Sequence, residues 1–187
     1  MRKVILIFIV LIGLQDNIVN AQSIYLATGG NGSFFSATNV ENIDAKTNSL
    51  TSVLNAATEE IAFTVPLRTF KFKSSLMEEH FNEKYVESDK YPNATFKGKI
   101  NEKIDLTKEG IYEITATGIM NLHGVDQIRT EKGKATVKEG KIIIDCTFNV
   151  KLTDYKIEVP KLVMSNIAPD LDIKINCTYA PYKKVAK

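Results

Sequence analysis

The feature that most constrains this chain is the alternation of apolar and polar residues over long runs. Tyr112, Ile114, Ala116, Gly118, Met120 and Leu122 recur at every second position, opposite Glu113, Thr115, Thr117 and Asn121. Ile142, Ile144, Cys146, Phe148 and Val150 form a second such face, opposite Asp145, Thr147 and Asn149. Ile173, Ile175, Cys177 and Tyr179 form a third, opposite Asp172, Lys174, Asn176 and Thr178. Ile61, Phe63 and Val65, and then Phe70 and Phe72, show the same period in shorter runs. Successive side chains of a strand point to opposite faces, so this period means strands with one buried and one wet side. Long strands of this kind leave exposed edges unless the sheet closes on itself. The expected fold is all-β: an antiparallel barrel of about eight strands. A barrel of that size is either filled by side chains or holds one small ligand, and periodicity does not choose between them.

Turn residues fall between these runs. Lys108-Glu109-Gly110 precedes one strand, Glu139-Gly140 suggests a hairpin, and Gly29-Gly30-Asn31-Gly32 reads as an early loop. One stretch breaks the β rhythm and predicts a short helix near 75–85. Ser75 followed by Glu78 has the spacing of a capping box, and Met77, Phe81 and Tyr85 share one face. Pro92 ends any helix before the next strand begins near Ala94. So short a helix is marginal alone. It is expected to dock its apolar face across one end of the barrel.

The amino terminus reads as an export signal. Arg2 and Lys3 precede the apolar run Val4–Leu14, and Val19 and Ala21 are spaced as the small residues of a cleavage site. The run falls short of the ~20 apolar residues of a membrane span, and no later segment is apolar enough to be one. The expected organisation is a signal peptide at 1–21 and a single barrel domain at 22–187, with the mature chain starting at Gln22. Its expected destination is the periplasm or the outside of the cell. Lys and Arg number 24 against 22 Asp and Glu, interspersed along the chain, which gives no electrostatic footprint for nucleic acid.

Little in the sequence suggests covalent chemistry. No hydrolase elbow, phosphate loop or dinucleotide fingerprint occurs, and an enzyme is not expected. The two histidines are His80 and His123. His80, with Glu78, Glu79 and Glu83 nearby, reads as part of a solvated helix face, and no metal site is expected. His123 follows a strand end and precedes Gly124. Its ring either bonds to backbone in a turn or meets a ligand at the mouth of the barrel. Tyr155 has the same two readings. Cys146 and Cys177 both fall on apolar strand faces. They are either a disulfide, which export would permit, or two buried thiols.

Three segments together resemble the YceI-like family. They are Phe72 to Ile100, Ile104 to Val125 (IDLTKEGIYEITATGIMNLHGV) and Thr153 to Asn176. The second contains Gly118-Ile119-Met120-Asn121-Leu122-His123-Gly124, similar to a Gly-Leu-x-x-His-Gly pattern of short exported members. The resemblance implies a lipocalin-shaped barrel with an elongated apolar cavity for an isoprenoid tail, such as that of a quinone or polyprenyl carrier. It implies no cofactor beyond such a lipid and no fixed head-group residue. Strand parity then nominates Phe63, Phe72, Phe96, Ile114, Met120, Leu122, Ile144 and Phe148 as cavity lining. The alternative is that each is ordinary core in a side-chain-filled structural barrel. A homodimer is compatible with either.

Overall fold

The computed structural model describes residues 24–182. Eight strands run in chain order: β1 Ile24–Ala37, β2 Asn42–Asn55, β3 Glu60–Pro66, β4 Asn93–Ile100, β5 Gly110–Leu122, β6 Val125–Lys138, β7 Lys141–Lys151 and β8 Asp170–Pro181. Each pairs antiparallel with its neighbour, and β8 returns to β1, closing the barrel. The alternating faces of β5, β7 and β8 all point inward. The segment expected to be a signal peptide, and the expected start at Gln22, lie outside the described residues.

Turn chemistry sets the register. His123 and Gly124 (φ 53° and 72°), and Glu139 and Gly140 (φ 51° and 71°), are two-residue turns with both residues left-handed. Such turns match the twist of the strands they join. The first fixes Leu122 opposite Val125 and thereby the whole β5–β6 ladder down to Gly110 opposite Val137.

The glycine run is not a loop. Gly29 to Gly32 lies within β1, where the ladders to β2 and β8 both slip. Gly29, at φ 71°, forms a bulge. Tyr25 and Ala27 face inward before it, and Gly30, Gly32, Phe34 and Ser36 after it. A bulge inserts one unpaired residue and so reverses the face that follows.

The helix also starts one residue earlier than its spacing suggests. Ser74 is the cap, its Oγ accepting from the Met77 amide at 3.4 Å. Glu78 turns instead to Lys71, 2.5 Å from its Nζ. Helix α1 (Ser75–His80) runs on through a single π turn at Phe81–Tyr85. It crosses one end of the barrel, with Phe81 packed among Phe34, Phe70 and Phe72 at ring-centroid distances of 5.1–5.7 Å.

The other end is filled. Leu50, Leu54, Ile61, Ile100 and Ile142 are buried together, with Ile104 and Leu106 of the β4–β5 loop packed below them. Tyr179 is buried in this layer, and its hydroxyl meets Ser52 Oγ at 2.6 Å. Ser52 in turn donates to the Ala62 carbonyl at 2.7 Å. A buried hydroxyl needs such a partner.

Two neighbouring pairs of strands diverge toward the helix end. The β2–β3 ladder ends at Thr51 opposite Thr64. Beyond it the gap is closed by main chain, because Lys46 and Lys71 exchange both backbone hydrogen bonds, at 3.1 and 2.8 Å. The β6–β7 ladder ends at Gly133 opposite Cys146. Beyond it only side chains reach across. Cys146 Sγ donates to the Lys132 carbonyl at 3.1 Å, Arg129 Nη2 to the Asn149 carbonyl at 2.6 Å, and Gln127 Nε2 to the Asp154 carbonyl at 2.8 Å.

Candidate ligand cavity

Between the filled end and the helix the barrel is hollow. The space under α1 measures about 270 Å³. Its walls are Phe34, Leu67, Phe70, Phe72, Phe81, Leu122, Val150 and Ile173, so an apolar chain meets almost no polar atoms there. Its rim comes from three connections: Glu41 next to the β1–β2 turn, Met77 and His80 of α1, and Val163, Asn166 and Ile167 before β8. Asn166 Nδ2 donates to Glu41 Oε2 at 3.2 Å and the Ala168 amide to Ser36 Oγ at 2.8 Å, tying that last connection to the β1–β2 side. A second lobe of about 90 Å³ lies deeper, toward the middle of the barrel. Val65, Ala94, Met120, Phe148 and Ile175 border both lobes, so the two apolar spaces share a wall.

All eight residues nominated by parity stand on this wall. Phe72 and Leu122 border the larger lobe, Phe63, Phe96, Ile114 and Ile144 the smaller, and Met120 and Phe148 both. His80, expected on a solvated face, borders the larger lobe instead. The helix presents Met77, His80 and Phe81 to the cavity because these lie on its barrel side.

The residues nominated for the mouth hold other posts. His123 sits in the β5–β6 turn with both ring nitrogens engaged: Nδ1 donates to the Tyr155 carbonyl at 3.1 Å, and Nε2 lies 2.7 Å from Glu87 Oε2. Its ring also stands edge-on to Tyr91, with centroids 4.8 Å apart. It borders neither lobe. It pins the segment after the helix to the 3-10 turn Leu152–Tyr155. Tyr155 is fully buried, and its hydroxyl has no hydrogen-bond partner among the described residues.

Cys146 and Cys177 are free thiols. Cys146 is paired with Ile175, and Cys177 with Ile144. The two cysteines are thus diagonal neighbours. Diagonal positions on adjacent strands lie ~7–8 Å apart, too far for the ~4 Å between the Cβ atoms of a disulfide. Burial pushes the Cys146 thiol up to about 11, with the Glu131 carboxylate adding to it. Burial pushes Cys177 up to about 12, with Asp145 adding to it.

Parity in the sequence did not reveal the polar part of the smaller lobe. Arg129 and Glu131 border it, facing inward from β6. Their ion pair is close, with Arg129 Nε at 2.7 Å and Nη2 at 2.5 Å from Glu131 Oε1. Among the described residues no three His, Cys, Asp or Glu side chains gather as a metal site would require.

Comparisons with known proteins agree with this architecture. The YceI-like domain profile matches residues 24–179. Among curated proteins none matches the sequence. A polyisoprenoid binding domain from Saccharophagus degradans, implicated in plant cell wall breakdown, has a TM-score of 0.72 at 15% identity, over 86% of this chain and 99% of that one. BcnA of Burkholderia cenocepacia has a TM-score of 0.67 at 13% identity, over 80% and 95%. The Campylobacter jejuni YceI protein reaches 0.55 at 20% identity, over 79% and 88%. Identities this low speak for the fold alone. The profile match spans β1 to the buried Tyr179 of β8, and with the closed barrel around it the chain belongs to the YceI-like family.

Proposed function

We propose that this protein is an exported carrier or reservoir that encloses an isoprenoid-like lipid and does no covalent chemistry on it. The observation that carries this reading is the two-lobed apolar space between α1 and the filled end. Its two adjoining lobes and the near absence of polar wall suit a flexible hydrocarbon tail better than a compact polar metabolite. Each five-carbon unit buried contributes roughly 3 kcal/mol gross. Ordering the tail offsets a large part of that. The barrel from S. degradans, described as polyisoprenoid binding, supports the same class of ligand. The export half of the proposal rests on the Arg2-Lys3 start, the Val4–Leu14 run and the small residues Val19 and Ala21.

The test is mass spectrometry of an organic extract of protein purified from its native source. A near-stoichiometric isoprenoid is the expected result. A clean extract, with no uptake of added polyprenol or isoprenoid quinone, would overturn the carrier reading. Intact mass of the same sample tests export, with a chain beginning at Gln22 expected and one retaining Met1 to Ala21 excluding it.

A further inference from the structure

The opening of the larger lobe is ringed by apolar side chains that the fold does not bury. The three connections of its rim all lie at the helix end of the barrel. Each carries such a side chain next to a residue that borders the cavity. Val40 precedes Glu41, Leu76 precedes Met77, and Leu162 and Met164 flank Val163. Val40 is 65% exposed, Leu76 56%, Leu162 95% and Met164 59%. Hydrogen bonds hold these positions in place. Thr38 Oγ1 accepts from the amides of Val40 at 3.2 Å and Glu41 at 3.0 Å. The Val163 amide donates to the Pro160 carbonyl at 3.0 Å, and the Asn166 amide to the Val163 carbonyl at 2.9 Å. A single exposed apolar residue needs no explanation, whereas several around one opening mark an interaction surface.

We propose that this rim docks on the surface of a phospholipid bilayer, with the mouth of the cavity turned toward the membrane. The proposal rests on the reading of the cavity as a lipid site and says where that lipid is exchanged. Continuity of apolar surface carries it. The wall of the larger lobe runs out through Met77 and Val163 onto Leu76, Leu162 and Met164. A hydrocarbon tail that crossed water would expose its whole apolar surface. Through a mouth pressed on the bilayer it passes from one apolar medium to another. A second copy of the chain is the less apt occupant, because a copy seated on the rim would seal the cavity.

The charges around the rim set the mode of docking. Lys73 and Lys161 are exposed close in sequence to Leu76 and Leu162, and Glu79 is exposed on α1. Glu41 accepts from Asn166. Charges of both signs leave little net attraction for an anionic surface, so apolar insertion drives binding. The lysine stems can lie along the apolar boundary with their ammonium groups at the lipid phosphates.

The experiment exploits a chain without tryptophan. Leu162→Trp and, as control, Ile111→Trp each introduce one reporter at an exposed site, the first on the rim and the second near the start of β5 at the filled end. Vesicles of dioleoylphosphatidylcholine should shift the emission of Leu162→Trp to the blue, and brominated lipid should quench it, while Ile111→Trp shows neither effect. The opposite pattern would mean anchorage through the amino terminus, since β1 begins at the filled end, and would overturn the proposal. Adding dioleoylphosphatidylglycerol, or raising NaCl to about 0.5 M, should change binding less than about threefold. Binding to anionic vesicles alone would overturn docking by insertion. Leu76→Glu combined with Leu162→Glu should weaken vesicle binding at least about tenfold. The same variant should take up 1-N-phenylnaphthylamine from water as the wild type does, which also shows that it is folded. A blue shift that grows with protein concentration in the absence of vesicles would assign the rim to a second copy and overturn the membrane. Dye uptake without docking would remove this proposal alone. No dye uptake by the wild type would remove the cavity reading and this one together.

Discussion

The sulfur of Cys177 occupies the space that a side chain at Gly30 would need. A Cβ on Gly30 would stand 2.7 Å from Cys177 Sγ and 3.1 Å from Leu50 Cδ2. Both residues face the interior where β1 and β8 close the barrel. Gly30→Ala should therefore destabilise the protein by about 1–3 kcal/mol, the usual cost of overpacking. In a Cys177→Ala background the same change should cost less, as urea denaturation of the four species of a double-mutant cycle would reveal. Equal costs in the two backgrounds would mean that the clash is relieved elsewhere.

The thiols give a pH dependence with a definite sign. Cys146 and Cys177 ionise near 11 and 12 in the folded barrel, against about 8.5 in an unfolded chain. Above that unfolded value the unfolded chain has lost protons that the folded protein retains, so stability falls as pH rises. The contribution is intact below about pH 8.5 and is lost progressively between there and pH 11–12. Thermal melts from pH 7 to 11 should show this decline, and it should be shallower in Cys177→Ala. At pH 8, Ellman's reagent should find two thiols after unfolding and almost no reaction at the fully buried Cys177 before it. Absence of thiols after unfolding would establish a disulfide.

Ala94 borders both lobes of the cavity. Ala94→Phe should place a ring in space that is now empty, reducing lipid uptake at least about tenfold with little change in melting temperature, because a ring in a cavity displaces no packed neighbour. Dye displacement and a thermal melt on the same sample check the two halves separately. Full uptake by the variant would show that ligand does not pass Ala94.

At the filled end, Ser52→Ala should cost about 1–3 kcal/mol, since it strands the buried Tyr179 hydroxyl. Ser52→Ala combined with Tyr179→Phe should cost less than the sum of the two, because the second change removes the stranded group. Urea denaturation of the single and double variants measures the coupling. Exact additivity would mean that the hydroxyls do not interact.

The sequence disclosed the barrel where inward faces are apolar and failed where they are not. On β5, β7 and β8 the inward residues are hydrophobic and outward ones polar, so period alone locates the wall. On β6 the pattern is inverted. Gln127, Arg129 and Glu131 point inward, while Ile128 points outward and is 81% exposed. Hydropathy alone therefore conceals the strand's orientation. The signal that would have recovered it is the His123-Gly124 turn, which sets Leu122 against Val125 and carries the inward parity along β6. On β1 the glycines carry no side-chain pattern, and the bulge at Gly29 reverses the faces, so a strand resembles a loop. Ser74 outcompeted Ser75 as helix cap because Glu78 was drawn to Lys71. Arg129 and Glu131 stand on that inverted face of β6 and border the smaller lobe, so hydropathy gave no sign of them.

The order of strands around the barrel has a kinetic consequence. Every neighbouring pair is consecutive along the chain except one, the pairing of β1 with β8 that joins Tyr25 to Pro181 and Phe35 to Asp172. Hairpins can form one after another at low loop-closure cost, whereas this last pairing must gather the two extremes of the polypeptide. During refolding, amide protection between β1 and β8 should be acquired last. Until then β1 presents a free edge bearing Phe34 and Phe35, and the time spent open sets how readily one molecule sticks to another.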